Sequence, residues 1–176
     1  MKHNLIHFFI FITFVLVSCS PKEEEKVIDW NSEKSTTMNR QFSIEEEVDI
    51  NVFLSRKQEW KMIKTGSGLR YYIYEEGIGT PPLADDYVDI EYTIELLDGT
   101  TCYSTPKDEV EELKVDKSQV ESGIQEALKL LNEGSRAKLI IPSHLAHGLV
   151  GDMEKIPPLS TLLVDIHIVK LYRTKR

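Results

Sequence analysis

Apolar and polar positions alternate most cleanly over Tyr87–Leu97. Val88, Ile90, Tyr92, Ile94 and Leu96 are separated by Asp89, Glu91, Thr93 and Glu95, the period-2 pattern of a strand with one buried face. Asp98-Gly99 then supplies a hairpin signal, and Thr100–Ser104 is predicted as the returning strand. In Arg136–Ile141 the residues Ala137, Leu139 and Ile141 share one face. Thr161–Leu171 is apolar at seven of its eleven positions, with the unbroken run Leu162–Val164, as expected of a central strand covered on both sides. Shorter strands are predicted at Trp60–Lys64 and Leu69–Tyr74, on either side of the turn-like Gly66-Ser67-Gly68, and at Leu113–Val115. Gly77–Pro82, Pro106–Glu112 and Pro142–Ser160 read as loops.

Two stretches carry helical spacing instead. In Ser118–Gly134, Ile124, Leu128 and Leu131 form a stripe that Val120 and Ala127 widen. Ser118 and Glu121 have the form of a capping box, and Gly134 is the expected stop. Ser43–Gln58 begins with a second Ser-x-x-Glu pair, Ser43 and Glu46, followed by Ile44, Val48 and Val52 at four-residue spacing. This second helix is expected to pack loosely on the domain edge. Many strands and one crossing helix indicate an α+β fold, with a mainly antiparallel sheet curling around Ser118–Gly134.

Composition adds an address. The chain of 176 residues has room for one domain plus attachments. Lys2 and the apolar run Leu5–Val17, too short to span a bilayer comfortably, read as a signal peptide over residues 1–18. Leu16-Val17-Ser18-Cys19 resembles the bacterial lipoprotein processing box, which implies cleavage before Cys19 and lipid on that residue. Cys102 is then the only remaining cysteine, so no intramolecular disulfide can form. Removing Lys2, the one charged side chain of the first eighteen residues, takes the formal net charge from −8 to −9. An acidic chain without a basic patch excludes nucleic acid as a partner; acyl chains would hold it on a membrane. Residues 19–42 read as an acylated, flexible tether, polar and without hydrophobic period over Ser20–Arg40. Glu23–Glu25 resembles a surface-export signal of some lipoproteins. The expected organisation is completed by a helical extension over 43–62 and a globular domain over 63–173.

The ordered motifs of that domain resemble an FKBP-type peptidyl-prolyl isomerase. They are Gly77-x-Gly79, Tyr87-Val88-x-Ile90-x-Tyr92, Leu97-Asp98-Gly99, Gly123, Glu133-Gly134-x-Arg136-Ala137-x-Leu139, Ile141-Pro142-x-x-Leu145-Ala146-x-Gly148, Ile156-Pro157-Pro158 and Thr161-Leu162-x-Val164-Asp165. With the processing box and acidic tether, the chain most resembles the gliding-motility-associated lipoprotein branch of that family. The resemblance implies an antiparallel half-barrel wrapped on one short helix, with an apolar pocket between them. It also implies rotation about X–Pro amides in proline-containing polypeptides, with no cofactor, metal or nucleophile. The implied place is the bacterial envelope, lipid-anchored at the outer membrane and facing the periplasm or the cell surface, with maturing envelope proteins as clients.

The same resemblance assigns pocket positions. Tyr92 keeps the family's aromatic wall, and Val120 an aliphatic position whose backbone can bond substrate. Cys102 stands where phenylalanine is usual, Tyr103 where aspartate is usual, and Ile124 where a large aromatic floors the pocket. His147 replaces a tyrosine at the mouth, and Val164 an aromatic wall; Ile156 stays aliphatic. Glu121 replaces an aliphatic residue, its capping box being a sufficient structural reason, and Glu111 aligns roughly with another phenylalanine. His144 and His147 are too few for a metal site on spacing alone. The lost aromatics open an alternative, a weakly active or inactive binding module in an envelope protein complex.

Overall fold

The computed structural model describes residues 32–174. The predicted signal peptide, Cys19 and the first part of the tether lie outside the described residues. The compact unit that begins at Thr36 holds every strand among the described residues.

Helix α1 spans Ser32–Ser55, which corrects two expectations. Residues 32–42 are helical, where a tether was expected. Their polar composition gives no hydrophobic period, but no glycine or proline interrupts the run up to Ser55. Ser43 is therefore an interior residue, its hydroxyl donating to Asn39 O at 3.0 Å, and caps nothing. The chain leaves the helix at Ser55, before Gln58, with Arg56 and Lys57 N–H closing onto Phe53 and Leu54 carbonyls.

The strands are β1 (Ile63–Lys64), β2 (Arg70–Glu75), β3 (Tyr87–Leu96), β4 (Thr101–Ser104), β5 (Glu111–Lys114), β6 (Arg136–Ile141) and β7 (Leu162–Tyr172). They form one open antiparallel sheet in the order β1-β2-β6-β7-β3-β4, with β5 pairing the first half of β3. β7 is central, paired with β6 on one side and with the whole of β3 on the other. Its apolar character follows from that position. Leu162, Val164, Ile166 and Ile168 join Val88, Ile90 and Ile94 of β3 and Ala137, Leu139 and Ile141 of β6 in the main core. The intervening Leu163 and Ile140 point to the other face, where Ile50 of α1 covers them with Phe53, Leu54, Trp60, Met62 and Leu97 around it. The Ile44, Val48 and Val52 stripe faces away from this seam and is exposed. Glu47, beside the seam, binds the buried Arg70 at 2.5 Å and Lys64 at 3.0 Å.

The central helix, α2, is shorter than its pattern suggests: Ser122–Leu128. Ile124, Ala127 and Leu128 enter the main core, and Gly123 lies so close to β6 that a Cβ there would clash with Ile141 Cγ2. The predicted capping box does not form. Glu121 sits at the N-cap without a capping bond from its side chain, and Ser118 Oγ accepts the Lys114 N–H at 2.8 Å. Gln125 organises the approach instead, accepting Asp116 N–H at 2.8 Å and donating to Ser118 O at 3.1 Å. Gly134 is left-handed (φ +85°), but it lies in the turn into β6, its N–H on Ile168 O, and does not end the helix. Lys129 is the C-cap.

Candidate functional site

Between α2, the inner face of β3 and the loop after β6 lies a cavity of about 300 Å³. Ile90, Ile94, Leu113 and Ile124 line its depth, all buried. Tyr92, Tyr103 and Val120 form walls, and Glu111, Glu121, His147, Asp152 and Glu154 complete the lining. The alternation of β3 places Ile90, Tyr92 and Ile94 on one face, and the seven-residue α2 supplies Ile124 opposite.

The polar members are held in place. Tyr92 is fixed by Thr105, whose hydroxyl accepts the Tyr92 N–H at 2.9 Å while the Thr105 N–H donates to Tyr92 O at 3.0 Å. Burial, then the neighbouring Glu111 carboxylate, push the Tyr92 phenol up to about 12, so it stays a protonated hydroxyl at neutral pH. Tyr103 Oη donates to Asp152 Oδ2 at 2.5 Å, and that bond, with burial, raises the Tyr103 phenol well above its ordinary value. Asp152 Oδ1 accepts the N–H groups of Glu154, Lys155 and Ile156 at 2.9, 2.9 and 2.7 Å. Burial pushes the Asp152 carboxyl up, but Tyr103 and these N–H groups outweigh it and hold it well below the usual carboxylate range. Lys155 Nζ stands 4.7 Å over the Tyr103 ring. His147 Nε2 meets Glu121 Oε1 at 2.9 Å, so Glu121 is a pocket residue whose side chain is spent on the histidine and not on a cap.

The structure thus brings Tyr92, Tyr103, Val120, Glu121, Ile124 and His147 together, with Glu111 beside them. Cys102, Ile156 and Val164 do not line the cavity. They are 3%, 2% and 0% exposed and belong to the core beneath it. Val164 is covered because its strand is central, between Ile94 and Leu139. Cys102 Sγ faces Lys155 O at 3.5 Å, and burial pushes its thiol up, which makes it an unreactive core group. Ile90, Ile94, Leu113, Asp152 and Glu154 were not foreseen. The first two were readable from their alternation with Tyr92; Gly151-Asp152 carried a turn signal that did not say where the carboxylate would point. His144 Nε2 faces Ser67 O at 2.9 Å, away from His147's partner. Among the described residues no three His, Cys, Asp or Glu side chains are grouped to hold a metal.

A family model described as FKBP-type peptidyl-prolyl cis-trans isomerase matches residues 79–169. A probable FKBP-type peptidyl-prolyl cis-trans isomerase FkpA of Neisseria meningitidis serogroup B is 40% identical over 107 residues, 61% of this chain and 39% of that protein. The outer membrane protein MIP of Legionella longbeachae is 33% identical over 144 residues, 81% of this chain and 61% of that one. The chain therefore spans less than two thirds of either relative. The crystal structure of FkpA from Escherichia coli superposes with a TM-score of 0.66 at 25% identity, covering 99% of this chain and 84% of that one.

Proposed function

Because this chain belongs to the FKBP-type peptidyl-prolyl cis-trans isomerase family, we propose that its cavity binds X–Pro segments of polypeptides and speeds their cis–trans rotation. The observation that carries the reading is the pairing of an apolar depth (Ile90, Ile94, Leu113, Ile124) with an aromatic wall at Tyr92. X–Pro isomers differ by about 1 kcal/mol but interconvert over tens to hundreds of seconds, so a catalyst need only favour the twisted amide over both planar forms. The apolar depth grips the proline ring and keeps water from the amide, which favours the less polar twisted state. The protonated Tyr92 hydroxyl and the backbone at Val120 offer hydrogen bonds to the flanking peptide.

We further propose that Cys19 carries lipid and holds the protein in the bacterial envelope, at the outer membrane, where it assists maturing envelope proteins, those of a gliding machine among them. The Leu16–Cys19 processing box supports the anchor, and the Legionella relative is named an outer membrane protein. The replaced aromatics favour one second reading, a binding module with weak or no turnover: isoleucine and glutamate stand at positions 124 and 111, where the family usually has aromatic rings. Exchange spectroscopy by NMR on short X–Pro peptides, varied before the proline, separates the two. Acceleration above the uncatalysed rate is expected; none from a folded chain would leave the binding module. For the anchor, metabolic labelling with a radioactive fatty acid should tag the chain and not Cys19→Ala.

A further inference from the structure

Helix α1 is hydrogen-bonded to the loop behind the pocket wall through Glu46. Glu46 Oε1 accepts the Ser143 N–H at 2.6 Å and the Thr161 hydroxyl at 2.7 Å, and Oε2 accepts the Ser143 hydroxyl at 3.2 Å. Ser143 and Thr161 are the two ends of the loop that carries His147, Asp152 and Glu154 into the cavity. Strands β6 and β7 already bring those ends side by side, since Ile141 pairs with Leu162. What the strands leave free is the Ser143 N–H at the start of the 3₁₀ turn Ser143–Leu145. Ser143 is 6% exposed, so this donor needs a protein acceptor, and Glu46 is that acceptor. The Ser143 carbonyl in turn accepts the N–H groups of Ala146 (3.0 Å) and Gly148 (2.8 Å), the residues on either side of His147.

The geometry points to Glu46 as a positioning residue for the pocket. Through Ser143 it fixes the turn that presents His147 to Glu121, a role that rests on the isomerase reading of the cavity. The helix outside the half-barrel thereby sets the substrate wall, and whatever displaces α1 loosens that wall.

The test is a double-mutant cycle in the full chain, read by NMR exchange on an X–Pro peptide and by the nuclear Overhauser contact between the His147 ring and the Glu121 side chain. Glu46→Ala should lower kcat/KM roughly tenfold and abolish that contact. Glu46→Gln keeps Oε1 as an acceptor and should retain most of the activity. Added to His147→Ala, the Glu46→Ala change should cost nothing more. Additive losses, a Gln variant as poor as Ala, or a surviving His147–Glu121 contact in Glu46→Ala would overturn the assignment. Should Glu46→Ala fail to fold, Glu46→Leu preserves helix propensity and bulk without an acceptor and takes its place. A wild-type chain that does not accelerate exchange overturns the isomerase reading, and the His147–Glu121 contact then decides the role of Glu46 by itself.

Discussion

Tyr92 and Ile124 face each other across the cavity with different tasks. The first offers a hydroxyl whose proton is held up to about pH 12; the second offers only a buried aliphatic surface. Tyr92→Phe should lower kcat/KM with little change in stability, and Ile124→Ala should lower it while costing about 2–5 kcal/mol of folding free energy. Exchange rates alongside circular dichroism melts would show both; unchanged turnover in both variants removes this cavity from the mechanism. Asp152 belongs to the same scale. Its folded carboxyl titrates below the unfolded one, so its contribution to stability is complete above the unfolded value, about 4. That contribution is lost as pH falls through the folded value. Asp152→Asn should therefore lose less stability than the wild type between neutral pH and about pH 3, as followed by urea titrations at each pH.

Elements meet at two seams, and each has a residue that tests it. Between α2 and β6 the contact depends on Gly123, where a Cβ would clash with Ile141 Cγ2 and stand 3.3 Å from Leu145 O. Alanine gains about 1 kcal/mol of helix propensity, but overpacking against fully buried Ile141 costs about 1–3 kcal/mol. The overpacking wins, and Gly123→Ala should lower the denaturant midpoint. Between α1 and the outer face of the sheet, Ile50 is 1% exposed over Ile140 and Leu163. Ile50→Ala should cost about 2–5 kcal/mol, with faster hydrogen exchange in α1 than in β7. These seams also separate what was readable from what was not. The stripe Ile44, Val48, Val52 announced the helix correctly, yet it faces outward, because the docking face is built from Glu46, Glu47 and Ile50 with acidic side chains the hydrophobic period does not count.

At the scale of the molecule, the end of the chain closes the fold on its middle. Asp86, 2% exposed, accepts the N–H groups of Leu83 (2.9 Å) and Thr174 (3.0 Å) and the Arg173 guanidinium at 2.9 Å. Burial pushes its carboxyl up, but these three donors together hold it below its ordinary value. Its contribution to stability is therefore present at neutral pH and fades as pH falls through the folded value. Deleting residues 173–176 removes two of the three donors and leaves a buried carboxylate poorly paired, at a cost of about 3 kcal/mol at neutral pH. Its pH dependence should also flatten, the truncated chain losing less stability than the full chain between pH 7 and pH 3, as equilibrium denaturation at the two pH values would show.

The central place of β7 and the buried face of β3 were legible in the order of residues, because alternation and apolar runs are local patterns that a covered strand must carry. The family's ordered motifs were legible for the same reason. The short edge strands were less so: β1 keeps only Ile63–Lys64 of the expected Trp60–Lys64, and β5 begins at Glu111, inside the expected loop Pro106–Glu112, and ends before Val115. Where individual polar groups are spent was not. Ser118 and Glu121 have the spacing of a capping box, and Ser43 and Glu46 have it again; in both pairs the atoms bond elsewhere. Glu46 finds Ser143, 97 residues away, and Glu121 finds His147, 26 residues away. The same limit hid the fate of Cys102, Ile156 and Val164, which were expected in the pocket and lie in the core. A carboxylate satisfies a nearby or a distant N–H equally well, and an aliphatic side chain suits a pocket wall or a core alike. Only the folded chain, by fixing which groups come within reach and which lose their water, decides between them.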